Sequence, residues 1–310
     1  MNPFAWQDRL ERLGLHGSRI GFGSAPIGGL YGPVPEETAL DTARAAFAAG
    51  IRVFDTAPGY SLGLSETRLG LALRGLPRDE LLLESKVGRV LEQGRLRFDF
   101  SERGLEASLE SSLERLGAQS LDVALLHDPD DFEDAALKTA FPTLLRWREQ
   151  GLVRAIGVGM NQWAMPLRFL ERVDLDVIML AGRYTLLEQG GWPLLQACAE
   201  RGVAVFAAGV FNSGILAGGP TKYDYGDPPA WVKVKLRALR AAAVTHETPL
   251  AAAAIQFVLA HPAVACAVLG ASHPDEVRAN ERSASWPIPP EFWRSLVLAG
   301  LLPDFVPTPA

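Results

Sequence analysis

Eight short apolar runs, separated by segments of helical composition, constrain this chain more than any other feature. They are Arg19 to Gly28, Arg52 to Asp55, Leu81 to Lys86, Leu121 to His127, Val153 to Gly159, Val177 to Ala181, Val203 to Ala207 and Val264 to Leu269. Such runs are too short for buried helices and too continuously apolar for half-exposed strands. That pattern predicts parallel strands covered on both faces. Between them the composition predicts helices over Thr38 to Ala49, Ser65 to Arg74, Ser101 to Leu116, Glu133 to Gln150, Trp163 to Arg172, Trp192 to Arg201, Ala230 to Thr245, Leu250 to Ala260 and Pro274 to Arg282. Ser101 is a candidate N-cap, and Gly50, Gly117, Gly151 and Gly202 each follow a helix as a stop. Pro290 to Leu301 forms a C-terminal extra helix before a proline-rich tail.

Alternating strands and helices with right-handed crossovers give an open doubly wound sheet or a closed barrel. Eight units without a break in composition favour the α/β class and a (β/α)8 TIM barrel, one domain spanning residues 1–310. The segment Gly21-Phe22-Gly23-Ser24-Ala25-Pro26 begins like the dinucleotide fingerprint of the open sheet. It has proline in place of the third glycine and no helix starting there. A long Gly/Pro/Asn stretch, Gly209 to Pro229, follows the seventh strand; loops of this length in compact domains are usually functional, and here a cofactor-clasping role is expected.

With 48% hydrophobic residues the chain has ample core, and a net charge of −6 without any Lys/Arg run argues against nucleic acid. No run reaches the length of a membrane span, and the first residues lack a secretory pattern. Cys198 and Cys266 lie far apart in apolar settings and are expected to be buried thiols, so a cytoplasmic location is expected. Oligomeric state leaves no signature in the sequence.

Three strands stop at residues able to do chemistry: Asp55, Lys86 and His127, with Tyr60 in the loop after Asp55. A phenol with an intrinsic pKa of roughly 10 is a poor base near neutrality. An ammonium in contact would lower that value, and a carboxylate beyond the ammonium would hold it charged. An imidazole could donate to a substrate oxygen and share the proton work. Such a set suits proton exchange with an alcohol or carbonyl oxygen while a nicotinamide moves hydride. His16, His246 and His261 have no partner at metal-ligand spacing, so no metal is expected. Trp6, Trp192 and Trp231 are expected to pack, whereas Tyr31, in the first strand–helix loop, is a candidate for the substrate rim.

Phe54-Asp55-Thr56-Ala57-Pro58-Gly59-Tyr60, with Ser65-Glu66 and Leu69-Gly70 after it, resembles the aldo-keto reductase signature, as do Ser85-Lys86-Val87 and Leu121 to His127. The resemblance runs from about Gly21 to Asn280. It implies a barrel holding NAD or NADP, Tyr60 as general acid/base, Lys86 and Asp55 as its tuning pair, and His127 as substrate orienter. Ala181 to Gln189 and Gly209 to Leu216 resemble the aldose 1-dehydrogenase branch, which includes L-fucose (D-threo-aldose) dehydrogenases and pyridoxal 4-dehydrogenase. The resemblance also implies cofactor contacts at Gly23, Ser24, Asp55 and Asn161, at Gly209, Phe211, Ser213, Gly214 and Leu216, and at Gly270, Ala271, Ser272, Glu276 and Asn280. Two family residues at the nicotinamide, a glutamine and a stacking tyrosine, fall here at Ala181 and Ala208, and Met160-Asn161 stands where many members have Ser-Asn.

NADP-using members place Lys or Arg against the 2′-phosphate at positions that are Gly270, Ser272 and Glu276 here. A carboxylate repels phosphate and accepts from ribose hydroxyls, so NAD is the expected cofactor, with Arg278 the residue that would serve NADP. The activity implied is oxidation of an aldose at C1 to the lactone. Pyridoxal oxidation, general carbonyl reduction and a nucleotide-sensing regulatory role, as in potassium-channel β subunits of this fold, are the alternatives.

Overall fold

The structure is a computed structural model, and it describes residues 7, 10–11, 16–219, 222–224 and 226–309; Trp6 lies outside the described residues. Alternation within each strand, broken in β10 where Ala265 and Cys266 fall in the same set at a register shift against β9, divides the apolar residues into two sets. Val53, Leu82, Val123, Leu125, Ala155, Val177, Met179, Phe206, Cys266 and Val268 form one cluster. Their immediate neighbours Phe54, Leu83, Ala124, Leu126, Ile156, Ile178, Val205 and Ala267 belong to another, much larger one. A period of two therefore fills the inside of a closed sheet with one set and packs the helices on its outside with the other.

The sheet comprises β1 (Ile20–Gly23), β2 (Val53–Asp55), β3 (Leu82–Val87), β6 (Leu121–His127), β7 (Val153–Met160), β8 (Val177–Ala181), β9 (Ala204–Ala208) and β10 (Val264–Gly270). All are parallel, each beside its predecessor, and β1 closes on β10. The first run is shorter than the sequence predicts: β1 ends at Gly23, and Pro26–Gly28 forms a 3-10 turn because proline at its start cannot donate to a sheet.

Outside the sheet lie α1 (Glu36–Ala48), α2 (Leu64–Leu73), α3 (Glu102–Leu116), α4 (Phe141–Glu149), α5 (Ala164–Leu170), α6 (Trp192–Arg201), α7 (Ala230–Thr245), α8 (Leu250–Ala260), α9 (Pro274–Ala284) and α10 (Pro290–Leu298). Ser101 caps α3, its Oγ accepting from Gly104 N at 3.1 Å, and Gly117 ends it at φ 62°. The long helix expected over Glu133 to Gln150 is interrupted by a π turn, Ala136–Ala140. Pro142, which has no N–H for the carbonyl four residues back, sits just after it.

One element has no counterpart in the sequence reading. After β3 the chain turns into a hairpin, β4 (Arg89–Glu92) and β5 (Arg95–Phe98), before α3. Its two-residue turn, Gln93-Gly94, has φ of 49° and 73°, the left-handed pair that matches strand twist. Cys198 and Cys266 are buried free thiols. Trp192 packs against Tyr184, His261 and Phe305, while Trp231 is exposed, its ring edge-on to Tyr223. Among the described residues, no helix is long and apolar enough to cross a membrane and no cluster of metal-ligating side chains occurs.

Candidate active site

The inward-facing positions that end β2, β3 and β6 are Asp55, Lys86 and His127, so barrel closure alone brings these three together above the apolar filling. Lys86 Nζ donates to Asp55 Oδ1 and, at 3.0 Å, to the carbonyl of Thr56. The lysine and aspartate side chains are only 2% and 4% exposed. Desolvation of this depth normally drives a lysine towards neutrality; here Asp55, Tyr60 and Glu84 outweigh it and hold Lys86 well above its ordinary pKa. Gly159 on β7 makes room for the lysine stem, since a Cβ there would lie 3.3 Å from Lys86 Cε.

Tyr60 follows from a turn closed by its own N–H on Ala57 O at 3.1 Å. Its ring lies 5.0 Å from Lys86 Nζ and edge-on to His127, with ring centroids 6.3 Å apart. The expectation that lysine lowers the phenol's pKa needs correction. Burial of the hydroxyl comes first and raises it, Asp55 adds to the rise, and Lys86 offsets only part. The resting group is a neutral phenol.

His127 is 6% exposed, and its Nδ1 is buried without a hydrogen-bond partner. Burial, then the cations of Arg89 and Lys86, push its pKa well below the ordinary value, so the ring is neutral. Asp128 stands 3.6 Å from Nε2, but its carboxylate is engaged by Arg89. Arg89 in turn lies 4.8 Å from the Phe98 ring of the hairpin. Arg89, Phe98, Asp128, Asp130, Asp131, Phe132, Asn161 and Gln162 line a cavity of about 290 Å³; neither Tyr60 nor His127 lines it, and Asp128, the residue after His127, is its nearest link to them in the chain.

Ser65, Glu66 and Ser85, also in the family signature, tie the elements around the site together. Ser65 Oγ donates to Ser24 O at 2.6 Å and contacts Ser24 Oγ at 2.8 Å, and Ser24 N donates to Asp55 O, so Ser24 is buried and tied within the chain. Glu66 accepts from Ser85 Oγ at 2.8 Å and from Arg115 Nε at 2.7 Å, locking α2 and α3 onto β3.

The other cofactor candidates ring the same mouth. Asn161, Gly209 and Gly270 are exposed where β7, β9 and β10 end, and Gly23 is buried at the end of β1. Phe211, Ser213 and Gly214 are half-buried and Leu216 buried, in a segment where Gly209, Asn212, Ser213 and Gly214 all have positive φ. Ala271 is buried, Ser272 and Asn280 are half-buried, and Glu276 is exposed. Ser272 gives its N–H (2.7 Å) and hydroxyl (3.1 Å) to Glu276 Oε2, and Arg278 donates to Asp275 at 2.5 Å. Tyr31, in the loop after β1, is 55% exposed. An exposed carboxamide and a tightly wound loop suit a dinucleotide, whereas the first N–H groups of α9 are already given to His273, Asp275 N to its Nδ1 at 3.2 Å and Glu276 N to its carbonyl at 3.0 Å.

Sequence reasoning missed three features. Glu84 faces inward on β3, beside Asp55 in the register and two residues before Lys86, a position the period of two makes legible. The Arg89–Asp128 pair depends on the hairpin, whose Gln-Gly turn was its signal. Arg183 donates to Asn161 O (2.7 Å) and pairs with Glu188 (3.0 Å) and Asp224 (2.7 Å), clasping the long loop to the ends of β7 and β8. No local pattern announces that contact.

Comparison with known proteins agrees with this geometry. The aldo/keto reductase family profile matches residues 19–298. The chain is 40% identical to D-threo-aldose 1-dehydrogenase of a Pseudomonas species, covering 94% of this chain and 96% of that one. It is 36% identical to pyridoxal 4-dehydrogenase of Microbacterium luteolum, over 94% and 97% of the two chains. L-galactose dehydrogenase of Arabidopsis thaliana is 32% identical over 87% of this chain and 85% of its own. Among solved structures, an aldo-keto reductase from Bacillus halodurans in its holo form superposes with a TM-score of 0.79 at 27% identity, covering 92% of each chain. The eight-stranded barrel, the whole-length matches and the family profile lead to one conclusion: this chain belongs to the aldo/keto reductase family and is an NAD(P)-dependent oxidoreductase acting on CH–OH groups.

Proposed function

We propose that the protein oxidises an aldose at C1 to the lactone, with NAD as the preferred acceptor. The observation that carries this reading is the buried Lys86–Asp55 pair beneath Tyr60, with a neutral His127 facing the same phenol. His127 binds and aims the substrate oxygen, and Tyr60 exchanges the hydroxyl proton; Lys86, held charged by Asp55, stabilises the phenolate that accepts it. When bound, an oxidised nicotinamide supplies the hydride acceptor. Asn161, the segment from Gly209 to Leu216 and the segment from Gly270 to Asn280 would hold that cofactor, with Gly23 at the floor.

Two features support the substrate class. The cavity at Asp128 offers carboxylates and amides, which suit sugar hydroxyls, and the exposed rings of Phe98 and Phe132, which suit a C–H face. Three aspartates against one arginine in its lining disfavour a phosphorylated substrate. The relatives include two sugar dehydrogenases, D-threo-aldose 1-dehydrogenase and L-galactose dehydrogenase. NAD preference is supported by Glu276 seated on Ser272 and by Arg278 paired with Asp275, which leave a net acidic surface there.

The test is a panel of L-fucose, D-arabinose, L-galactose and pyridoxal with NAD, followed by the absorbance of the reduced cofactor. An aldose should give the highest kcat/KM, and Tyr60→Phe should lose a factor of about 10²–10⁴. Full activity in that variant would overturn the assignment; pyridoxal as the best substrate would replace the aldose with the pyridoxal reading.

A further inference from the structure

Glu84 is the one member of the buried polar cluster for which the proposed chemistry has no use. It faces the barrel interior on β3, is 0% exposed, and is the register partner of Asp55 on β2. Neither of its carboxyl oxygens has a hydrogen-bond donor, and Lys86 Nζ stands 3.6 Å from Oε1, already engaged by Asp55 and Thr56. The titratable groups facing it are Asp55 on β2, Lys86 on its own strand, Tyr60 in the loop after β2 and Cys266 on β10. Cys266 is an uncharged thiol, its pKa pushed up by burial. The register partner of Glu84 on β6, Val123, is apolar. Two carboxyls thus share one cation in the buried barrel interior.

A second anion buried beside one shared cation is driven to take up a proton. As a carboxylate, Glu84 would have as counter-charge only the Lys86 ammonium, 3.6 Å away and already engaged by Asp55 and Thr56. As an acid, it becomes a donor, and the Asp55 carboxylate beside it becomes the acceptor.

We propose that the Asp55–Glu84 pair carries a single proton, held on Glu84, so that the cluster has zero net charge while Tyr60 is a phenol and only a single negative charge when Tyr60 is ionised. Glu84 is a positioning residue: it acts on Tyr60 through Asp55 and Lys86 and does not touch substrate. Burial and the neighbouring Asp55 charge raise its pKa in keeping with this. The mechanical consequence is that Tyr60 ionises against one neighbouring anion rather than two. The proposal rests on the reading of Tyr60 as acid/base only for its kinetic arm.

The decisive measurement is infrared spectroscopy of the full chain in heavy water at neutral pH. Wild-type protein should show the carbonyl band of a protonated carboxyl, and Glu84→Gln should lack it. Absence of that band from the wild type overturns the proposal, whether or not the variant folds. In kinetics, Glu84→Gln replaces a neutral acid by a neutral amide. The alkaline-rising limb of kcat/KM for alcohol oxidation should therefore stay within about 0.3 pH unit of wild type. A limb displaced to lower pH by about one unit or more would mean that Glu84 is ionised at rest, and would equally overturn the proposal. The infrared band is independent of activity, so an active Tyr60→Phe enzyme would sink the functional reading and leave this result standing.

Discussion

Replacing Lys86 by methionine removes the cation and keeps most of the stem volume, which makes it the sharpest test of the buried pair. The lysine and its partner are almost wholly inaccessible, so solvent screening cannot soften the loss. Taking one partner from a buried pair costs about 3–5 kcal/mol, because a charge is left alone. The carboxyls can escape that penalty by binding a further proton, and for a carboxyl of ordinary affinity this costs about 4 kcal/mol at pH 7. The variant should therefore be about 3–4 kcal/mol less stable at pH 7, measured by denaturant titration. Its pH dependence separates charge from packing. A carboxyl whose folded pKa is raised keeps a proton that the unfolded chain has released. Between about pH 4 and its folded pKa, stability then falls with rising pH at about 1.4 kcal/mol per unit. Lowering the pH from 7 to 5 should recover about 3 kcal/mol of the deficit relative to wild type. A deficit that stays constant with pH, or one below about 1 kcal/mol at pH 7, would refute the account of the pair as a stranded buried charge. Oxidation should also fall by at least about a hundredfold, since the phenolate loses its cation.

Other consequences are open to measurement. Because burial raises the Tyr60 pKa, wild-type oxidation should climb with pH through the alkaline range, and reduction, which uses the phenol, should not; equal pH profiles in the two directions would contradict this. His127 is neutral at rest, so kcat/KM should show no limb near its ordinary pKa; a limb there that His127→Gln abolishes would show that the imidazolium forms. NAD should exceed NADP in kcat/KM by about tenfold or more, ~1.4 kcal/mol, and Glu276→Arg should narrow or reverse the ratio; an NADP advantage in the wild type would refute the reading of Ser272 and Glu276. Gly94→Ala forces a side chain into left-handed backbone at the hairpin turn and should cost about 1 kcal/mol, seen as a lower melting temperature with catalytic constants nearly unchanged.

The eight strands and their order were legible because they rest on local rules, and Asp55, Lys86 and His127 stood out as candidates because they close apolar runs, with Tyr60 singled out by the family resemblance. A period of two assigns each residue to one face, and eight parallel strands with helical crossovers have few ways to close. The same rule places Glu84 on the inward face with Lys86, yet nothing local says that this face is dry or that Asp55 lies beside it. The hairpin was missed although Gln93-Gly94 is a turn pair between alternating residues; its short strands do not enter the barrel count. The clasp from Arg183 to Asp224 joins residues whose neighbourhood exists only after the long loop has folded back.

What the sequence determined by itself was therefore the architecture, a consequence of periodicity, and a list of candidate reacting groups, which came from strand ends together with the family resemblance. Their charge states were decided by tertiary structure alone. Closing the barrel puts Asp55, Glu84, Lys86 and Tyr60 into one small volume of low dielectric. There desolvation and neighbouring charges, not intrinsic pKa values, determine which group holds a proton. That is why the phenol, expected to be lowered by its lysine, is raised instead, and why the histidine beside it is neutral.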